Sequence, residues 1–167
     1  MKKLLSIVAA LLLVLAAIPT VTIFASSSND SGVLFHFDTL VGNTPGMTVR
    51  GVPAAGAPWI VAQAVVQLDG SGRLHVNLKG LVLNLPGSPF DRTTGPVNGV
   101  QASLTCEGTN VVASTGVATL SSDGNAKINE IITLPSSCVG PIVLIRLGST
   151  LSNPGPIFGP WFAATGF

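Results

Sequence analysis

Few residues in this chain are equipped for chemistry. Its 167 residues include two histidines, two cysteines, two tryptophans and no tyrosine. His36 and Asp38 share one face of an alternating run, and His75 adds a third group only if its strand lies beside theirs. A metal centre needs such side chains to converge; the simpler reading is solvated side chains on strand faces. A serine hydrolase needs a histidine beside its nucleophile, and no G-x-S-x-G elbow is present. Glycoside hydrolysis needs two carboxylates across a cleft, whereas Glu107 and Glu130 sit in no paired acidic motif. The turns at 69–72 and 123–125 carry too few acidic ligands for a calcium loop. No cofactor is called for. The chain reads as a non-enzyme, with an extracytoplasmic hydrolase of unrecognised site as the alternative.

Residues suited to binding are scarcer still. Trp59 and Trp161 each follow a proline and open an apolar run. Such rings serve as platforms for sugars and partners or as core plugs, and the apolar context favours the core. Phe90 stands beside Asp91 and Arg92 in a Pro-rich stretch at 84–98 that has no periodicity. At about fifteen residues it has the length at which loops become functional or disordered. Trp59, Trp161, Phe90 and Arg92 are therefore the candidate contacts, for an unidentified cell-surface protein or glycan.

Cys106 and Cys138 are the only cysteines. In an exported chain an even count implies a disulfide. There is no Cys-x-x-Cys, so redox catalysis is not expected. The bridge would close a loop of about 33 residues, enough in the chain-entropy account for about 3.5–4 kcal/mol. It would tie a turn to the end of a strand, unlike the inter-sheet bridge of antibody domains.

Export itself is read from residues 1–25. Lys2 and Lys3 form a positive start, 4–17 is apolar apart from Ser6, Pro19 breaks the run, and Ala25 offers a small residue for cleavage before Ser26. The pattern is of bacterial type. An uncleaved anchor is the alternative, because 4–24 is long enough to span a bilayer. After cleavage no stable membrane span is expected, and the protein is secreted or held at the cell surface. Residues 26–32 form a polar linker, with a weak glycosylation sequon at Asn29. A single domain occupies 33–167.

The charged fraction is 9%, against about 25% in typical soluble domains. That excludes a helical bundle, whose exposed faces need Glu, Lys and Arg. Removing Lys2 and Lys3 from eight basic residues leaves six against seven acidic ones. No basic stripe remains for nucleic acid.

Alternation and turn signals place about nine strands, at 33–41, 47–52, 58–69, 73–83, 99–106, 111–120, 126–134, 142–147 and 161–167. Val33, Phe35 and Phe37 face inward on the first. The turn at 69–72 joins the clearest hairpin, and the turn at 121–124 joins a second, so the stretch between the cysteines reads as a stapled hairpin. A bulge near Asn129 and Glu130 is needed to keep that register. Trp161, Ala163, Thr165 and Phe167 share a face like a closing strand of an outer-membrane barrel, but the aromatic girdles of such barrels are missing. The expected fold is all-β, an antiparallel immunoglobulin-like sandwich with one disulfide.

Several segments together, PWIV, GRLHVNLKGLVL, SLTC, LPSSCVGPIVLI and WFAATG, resemble a group of exported bacterial β-rich proteins of unassigned function. The central hairpin, with its Gly80-Leu81 step, is faintly similar to CHRD-type domains, which are exported β modules. The histidine-containing segment of that family is missing here. The resemblance implies export and β architecture and brings no site residue.

Overall fold

The computed structural model describes residues 32–108, 111–148 and 159–166. The expected signal peptide, the linker up to Ser31 with its sequon, most of the 149–160 loop and Phe167 lie outside them.

The described residues hold fourteen strands and no helix. The first sheet has the order β1-β6-β7-β12, formed by β1 (Val33–Phe37), β6 (Gln63–Asp69), β7 (Arg73–Lys79) and β12 (Ala126–Ile131). The second has the order β10-β9-β13-β14-β2. Its members are β2 (Val41–Gly42), β9 (Gly99–Thr105), β10 (Val111–Ser114), β13 (Ile142–Leu147) and β14 (Trp161–Ala164), and β11 (Ala118–Thr119) also pairs with β9. Two short ribbons complete the fold, β3 (Thr48–Val49) with β4 (Val52–Pro53), and β5 (Trp59–Ile60) with β8 (Val82–Leu83). Every ladder is antiparallel, a lone parallel bridge joins Ala54 to Trp161, and neither main sheet closes on itself.

Five of the nine expected runs break once, which accounts for the fourteen strands. The breaks have local causes. The 47–52 run folds into a tiny hairpin, with Arg50 and Gly51 both at positive φ (49° and 76°). The 33–41 run changes sheet between β1 and β2. Opposite kinks at Ala62 and Gly80 separate the β6–β7 hairpin from its β5–β8 extension. There Ala62 N–H reaches the Lys79 carbonyl at 3.1 Å. Gly80 is at φ 66°, and a Cβ on it would stand 2.8 Å from that of Ala62.

The β6–β7 hairpin forms in full register, from Gln63↔Lys79 to Leu68↔Leu74. Its turn is organised by Asp69, whose carboxylate accepts the Ser71 and Arg73 backbone N–H groups at 2.9 and 3.0 Å and the Ser71 hydroxyl. The second expected hairpin does not form. β11 pairs with β9 in one sheet and β12 with β7 in the other. The 121–124 turn is closed, with Ser121 N–H on the Asn125 carbonyl at 2.9 Å, but Leu81 N–H binds the Gly124 carbonyl at 2.9 Å and directs the chain to the edge of β7. The expected bulge is also absent, since Ala126↔Leu78 to Ile131↔Arg73 pair without interruption. Glu130 keeps its core-side parity because, at the sheet edge, its carboxylate accepts the Gly116 N–H at 2.8 Å. Register shifts fall instead in the β10–β9 ladder between Val111 and Ala113, in the β13–β14 ladder between Ile145 and Arg146, and in β1 between Val33 and Phe35. In β1, Val33 is left exposed while Phe35 and Phe37 pack partly against the core.

The two main sheets share one core. Val66, Leu74 and Val76 of the first meet Val100, Ala102, Val143 and Ile145 of the second. Each such side chain contributes roughly 1.5–3 kcal/mol on burial. The second sheet also carries a smaller cluster of Val49, Val52, Leu144, Trp161 and Ala164. Leu144 alternates with Val143 and Ile145, so the β3–β4 hairpin covers the sheet's other face. Cys106 follows β9 directly and is bonded to Cys138, with a Cα–Cα distance of 5.1 Å. The adjoining Glu107 N–H binds the Val139 carbonyl at 2.8 Å. The bridge fastens the β12–β13 connection to the end of the second sheet.

Candidate functional site

The stretch at 84–98 is an ordered loop. Successive turns are closed by Ser88 N–H to the Leu85 carbonyl (2.9 Å), Asp91 N–H to that of Ser88 (3.0 Å) and Thr93 N–H to that of Phe90 (3.2 Å). Asp91 braces the loop across its width, its Oδ1 accepting the Leu85 N–H at 2.7 Å. Ser88 Oγ accepts the Phe90 N–H at 3.1 Å, and the Thr93 hydroxyl donates to the Phe90 carbonyl at 2.8 Å. Both ends of the next turn are tied to β8, where Arg92 N–H binds the Leu83 carbonyl at 3.0 Å and Leu83 N–H binds that of Thr93 at 2.8 Å. This pairing holds Arg92 in the left-handed region at φ 59°, a conformation that costs a non-glycine residue about 1–2 kcal/mol.

The result is a fixed backbone with two outward side chains. Phe90 is 57% exposed. The Arg92 side chain is also exposed, and its Nε stands 4.0 Å from Asp91 Oδ2, too long for a strong pair. An aromatic ring beside a guanidinium, with little entropy left to lose, is the composition of a contact hot spot. Of the four candidate contacts, these two reach solvent. Trp59 and Trp161 are buried: Trp59 packs against Phe162 in the main core, with ring centroids 4.5 Å apart, and Trp161 lies beneath the β3–β4 hairpin. Their prolines and apolar neighbours mark core positions, and neither ring is presented as a platform.

The histidines occupy the solvent face of the first sheet. Register places His36, Gln67, His75 and Asn129 in one row across four strands. The backbones of His36 and His75 are therefore two strand spacings apart, about 9–10 Å, with Gln67 between them. His36 Nε2 instead bonds Asp38 Oδ1 at 2.9 Å. No group of three His, Cys, Asp or Glu side chains converges among the described residues.

A third feature escaped the sequence reading. Arg146 is fully buried in β13. Its Nε and Nη2 donate to the Gly159 carbonyl at 2.9 and 2.7 Å, and Nη1 stands 3.4 Å from Ser103 Oγ, which bonds Ser114 Oγ at 2.8 Å. Burial lowers the Arg146 pKa from its ordinary value, and the guanidinium still stays charged at neutral pH. Ser103 and Thr105 alternate with apolar residues as a solvated face would, yet both are buried. The one available signal was Arg146 itself, a charge in the middle of an apolar run.

An apolar cleft of 410 Å³ opens between the sheets beside the disulfide, lined by Phe35, Leu68, Leu104, Leu134 and Cys138 among others. None of its lining residues is an acid or a base. Among the described residues, no helix is long and apolar enough to cross a membrane. No family model, curated protein or solved structure matches this chain.

Proposed function

We propose that this protein is an exported, non-enzymatic binding module of immunoglobulin-like sandwich architecture. In this reading residues 1–25 are removed, and the 84–98 loop presents Phe90 and Arg92 to a cell-surface protein or glycan. The observation that carries it is the exposure of Phe90 on a loop whose backbone is fixed by its own hydrogen bonds. A large ring kept in water by an organised, locally strained loop is maintained against its own solvation preference. The covalent bridge fits an oxidising compartment. The resemblance to exported β modules rests chiefly on the β6–β7 hairpin and adds no residue to the site.

The test is saturable binding of the labelled, secreted protein to intact cells of its producer. Phe90→Ala and Arg92→Ala should each weaken binding by about tenfold or more, the usual effect of truncating a hot-spot side chain. Both should leave the thermal midpoint within about 2 °C, since each side chain is exposed. Unchanged binding in both variants would refute the assignment of this loop. Mass spectrometry of the secreted protein, expected to begin at Ser26, checks the export reading. An intact Met1 in the cell envelope would replace it with the anchor.

A further inference from the structure

The solvent face of the first sheet carries both signs of charge, Asp69 at the end of β6 and Asp38 in a neighbouring hollow among them, but its two lysines gather at one corner. Lys79 closes β7 and Lys127 is the second residue of β12. They lie 48 positions apart in the chain, and the pairing Asn77↔Lys127 brings them to the same corner. Together with Asn77, Leu78, Thr119, Asn125 and Ala126 they line a shallow depression of 360 Å³, and no carboxylate lines it. Among the described residues neither lysine has an ion-pair partner, the pairs present being His36–Asp38 and Arg92–Asp91. The Asn125 amide is oriented, because its Oδ1 accepts the Gly80 N–H at 3.2 Å. Its remaining hydrogen-bonding capacity is largely that of a donor. Two lysines, two asparagines and a threonine therefore border one hollow, with Leu78 and Ala126 between them and no carboxylate in its lining.

We infer that this depression binds the anionic group of an acidic polysaccharide. Lysine ammonium groups bind such oxyanions through charge-assisted hydrogen bonds. The adjoining face favours a sugar chain as the carrier. Gln63, Gln67, His75, Asn77 and Asn129 stand outward on β6, β7 and β12 as rows of hydrogen-bonding groups, the complement of a run of hydroxyls. No Phe, Tyr or Trp stands on those three strands to stack a base, and His75 is the one ring there. The flanking carboxylates are engaged locally, Asp38 with His36 and Asp69 with the 69–72 turn. The Phe90 loop contributes no residue to the depression, so this site stands or falls separately from the Phe90 contact.

The experiment measures binding of the purified, disulfide-bonded protein to immobilised polygalacturonate, dextran sulfate, neutral dextran and single-stranded polythymidylate. Binding to polygalacturonate that weakens with added salt is expected, with no retention on neutral dextran. The double variant Lys79→Gln/Lys127→Gln should lose about tenfold or more in affinity, the consequence of removing both charged donors. Arg50→Gln, on the β3–β4 hairpin and outside both the depression and the Phe90 loop, should bind as the parent does. Retention on dextran sulfate but not polygalacturonate would place the same site on sulfated polymers. Equal affinity of parent and double variant would overturn the inference, as would tighter binding to polythymidylate than to either acidic polysaccharide. An arm that needs no variant is side-chain amide NMR of the parent. Oligogalacturonate should shift the Asn77 and Asn125 signals selectively, and a titration that leaves both unmoved overturns the site.

Discussion

Breaking the Cys106–Cys138 bridge is the perturbation whose size the fold allows to be worked out. The cysteines are 32 positions apart, so the closed loop holds about 33 residues and the chain-entropy relation gives about 3.7 kcal/mol at 25 °C. The loop is not a local hairpin. It carries β10 and β11 in one sheet and β12 in the other, so without the bridge the unfolded chain must bring these elements together at full entropic cost. For a domain of this size the loss corresponds to a midpoint lower by roughly 10–15 °C. Urea unfolding of the same protein, oxidised and reduced, isolates the bridge from any change in side chains, and the reduced form should also show a larger m value because its denatured state is more expanded. Cys106→Ala/Cys138→Ala should add no more than about 1 kcal/mol, for the packing lost around the buried Cys106. A reduced protein within about 1 kcal/mol of the oxidised one would refute the entropic reasoning. It would mean that the denatured chain already holds these ends together.

Three further perturbations test the fold around the site. Gly124→Ala should cost about 3 kcal/mol or more. Its φ is 75° and the added Cβ would meet the Leu81 backbone at 2.4 Å, whereas Gly87→Ala, at φ 85° with nothing within 4 Å, should lose only about 1 kcal/mol in thermal or urea melts. Buried Asn43 donates to the Ala55 and Ala57 carbonyls and accepts the Trp59 N–H. Asn43→Ala should therefore lose about 2–4 kcal/mol, and Asn43→Asp, which turns an acceptor toward two carbonyls, should cost at least as much at neutral pH and recover on acidification. Asp69 has its pKa lowered, first by the Ser71 hydroxyl and further by the Arg73 and Ser71 N–H groups. Its contribution to the turn is present above the unfolded aspartate value of about 3.9 and lost as pH falls through the lower folded value. Amide shifts of Ser71 and Arg73 should report that loss, and Asp69→Asn should abolish the titration.

Legibility followed the range of the interactions. The β6–β7 hairpin was fully readable because everything that makes it is local, an alternating run on each side of an Asp-Gly-Ser-Gly turn whose side-chain acceptor lies within four residues of its donors. The second hairpin was misread because the 121–124 turn is just as good locally, and what sends the strands to different sheets is a hydrogen bond from Leu81, more than forty positions away. The misplaced bulge has the same origin: an edge glutamate on a core-side position looked like a register error until Gly116 supplied its partner. Of the candidate contacts, Phe90 and Arg92 were legible as loop residues, because the stretch around them lacks any periodicity. The lysine depression was not, since cross-strand pairing alone makes Lys79 and Lys127 neighbours.

The low charge content now has a structural cause. A sheet with one solvated face favours a polar residue at every second position, and the first sheet largely follows this, with Arg73, His75, Asn77, Lys79, Lys127 and Asn129 outward and Val65 and Ile131 as exceptions. The second sheet is buried on both faces where the β3–β4 hairpin covers it, so β9 and β13 are closed almost throughout and their polar residues turn to one another: Ser103 to Ser114, Thr105 to the Ile142 carbonyl, Arg146 to Gly159. A charge fraction of 9% is what remains when only one sheet face and the loops must be solvated. Three of the five basic residues at exposed or part-exposed positions among the described residues, Arg73, Lys79 and Lys127, stand on that single face, while Arg50 and Arg92 serve loops. Cross-strand pairing sets two of those three, Lys79 and Lys127, at one corner of the face, on a hollow whose lining holds no carboxylate.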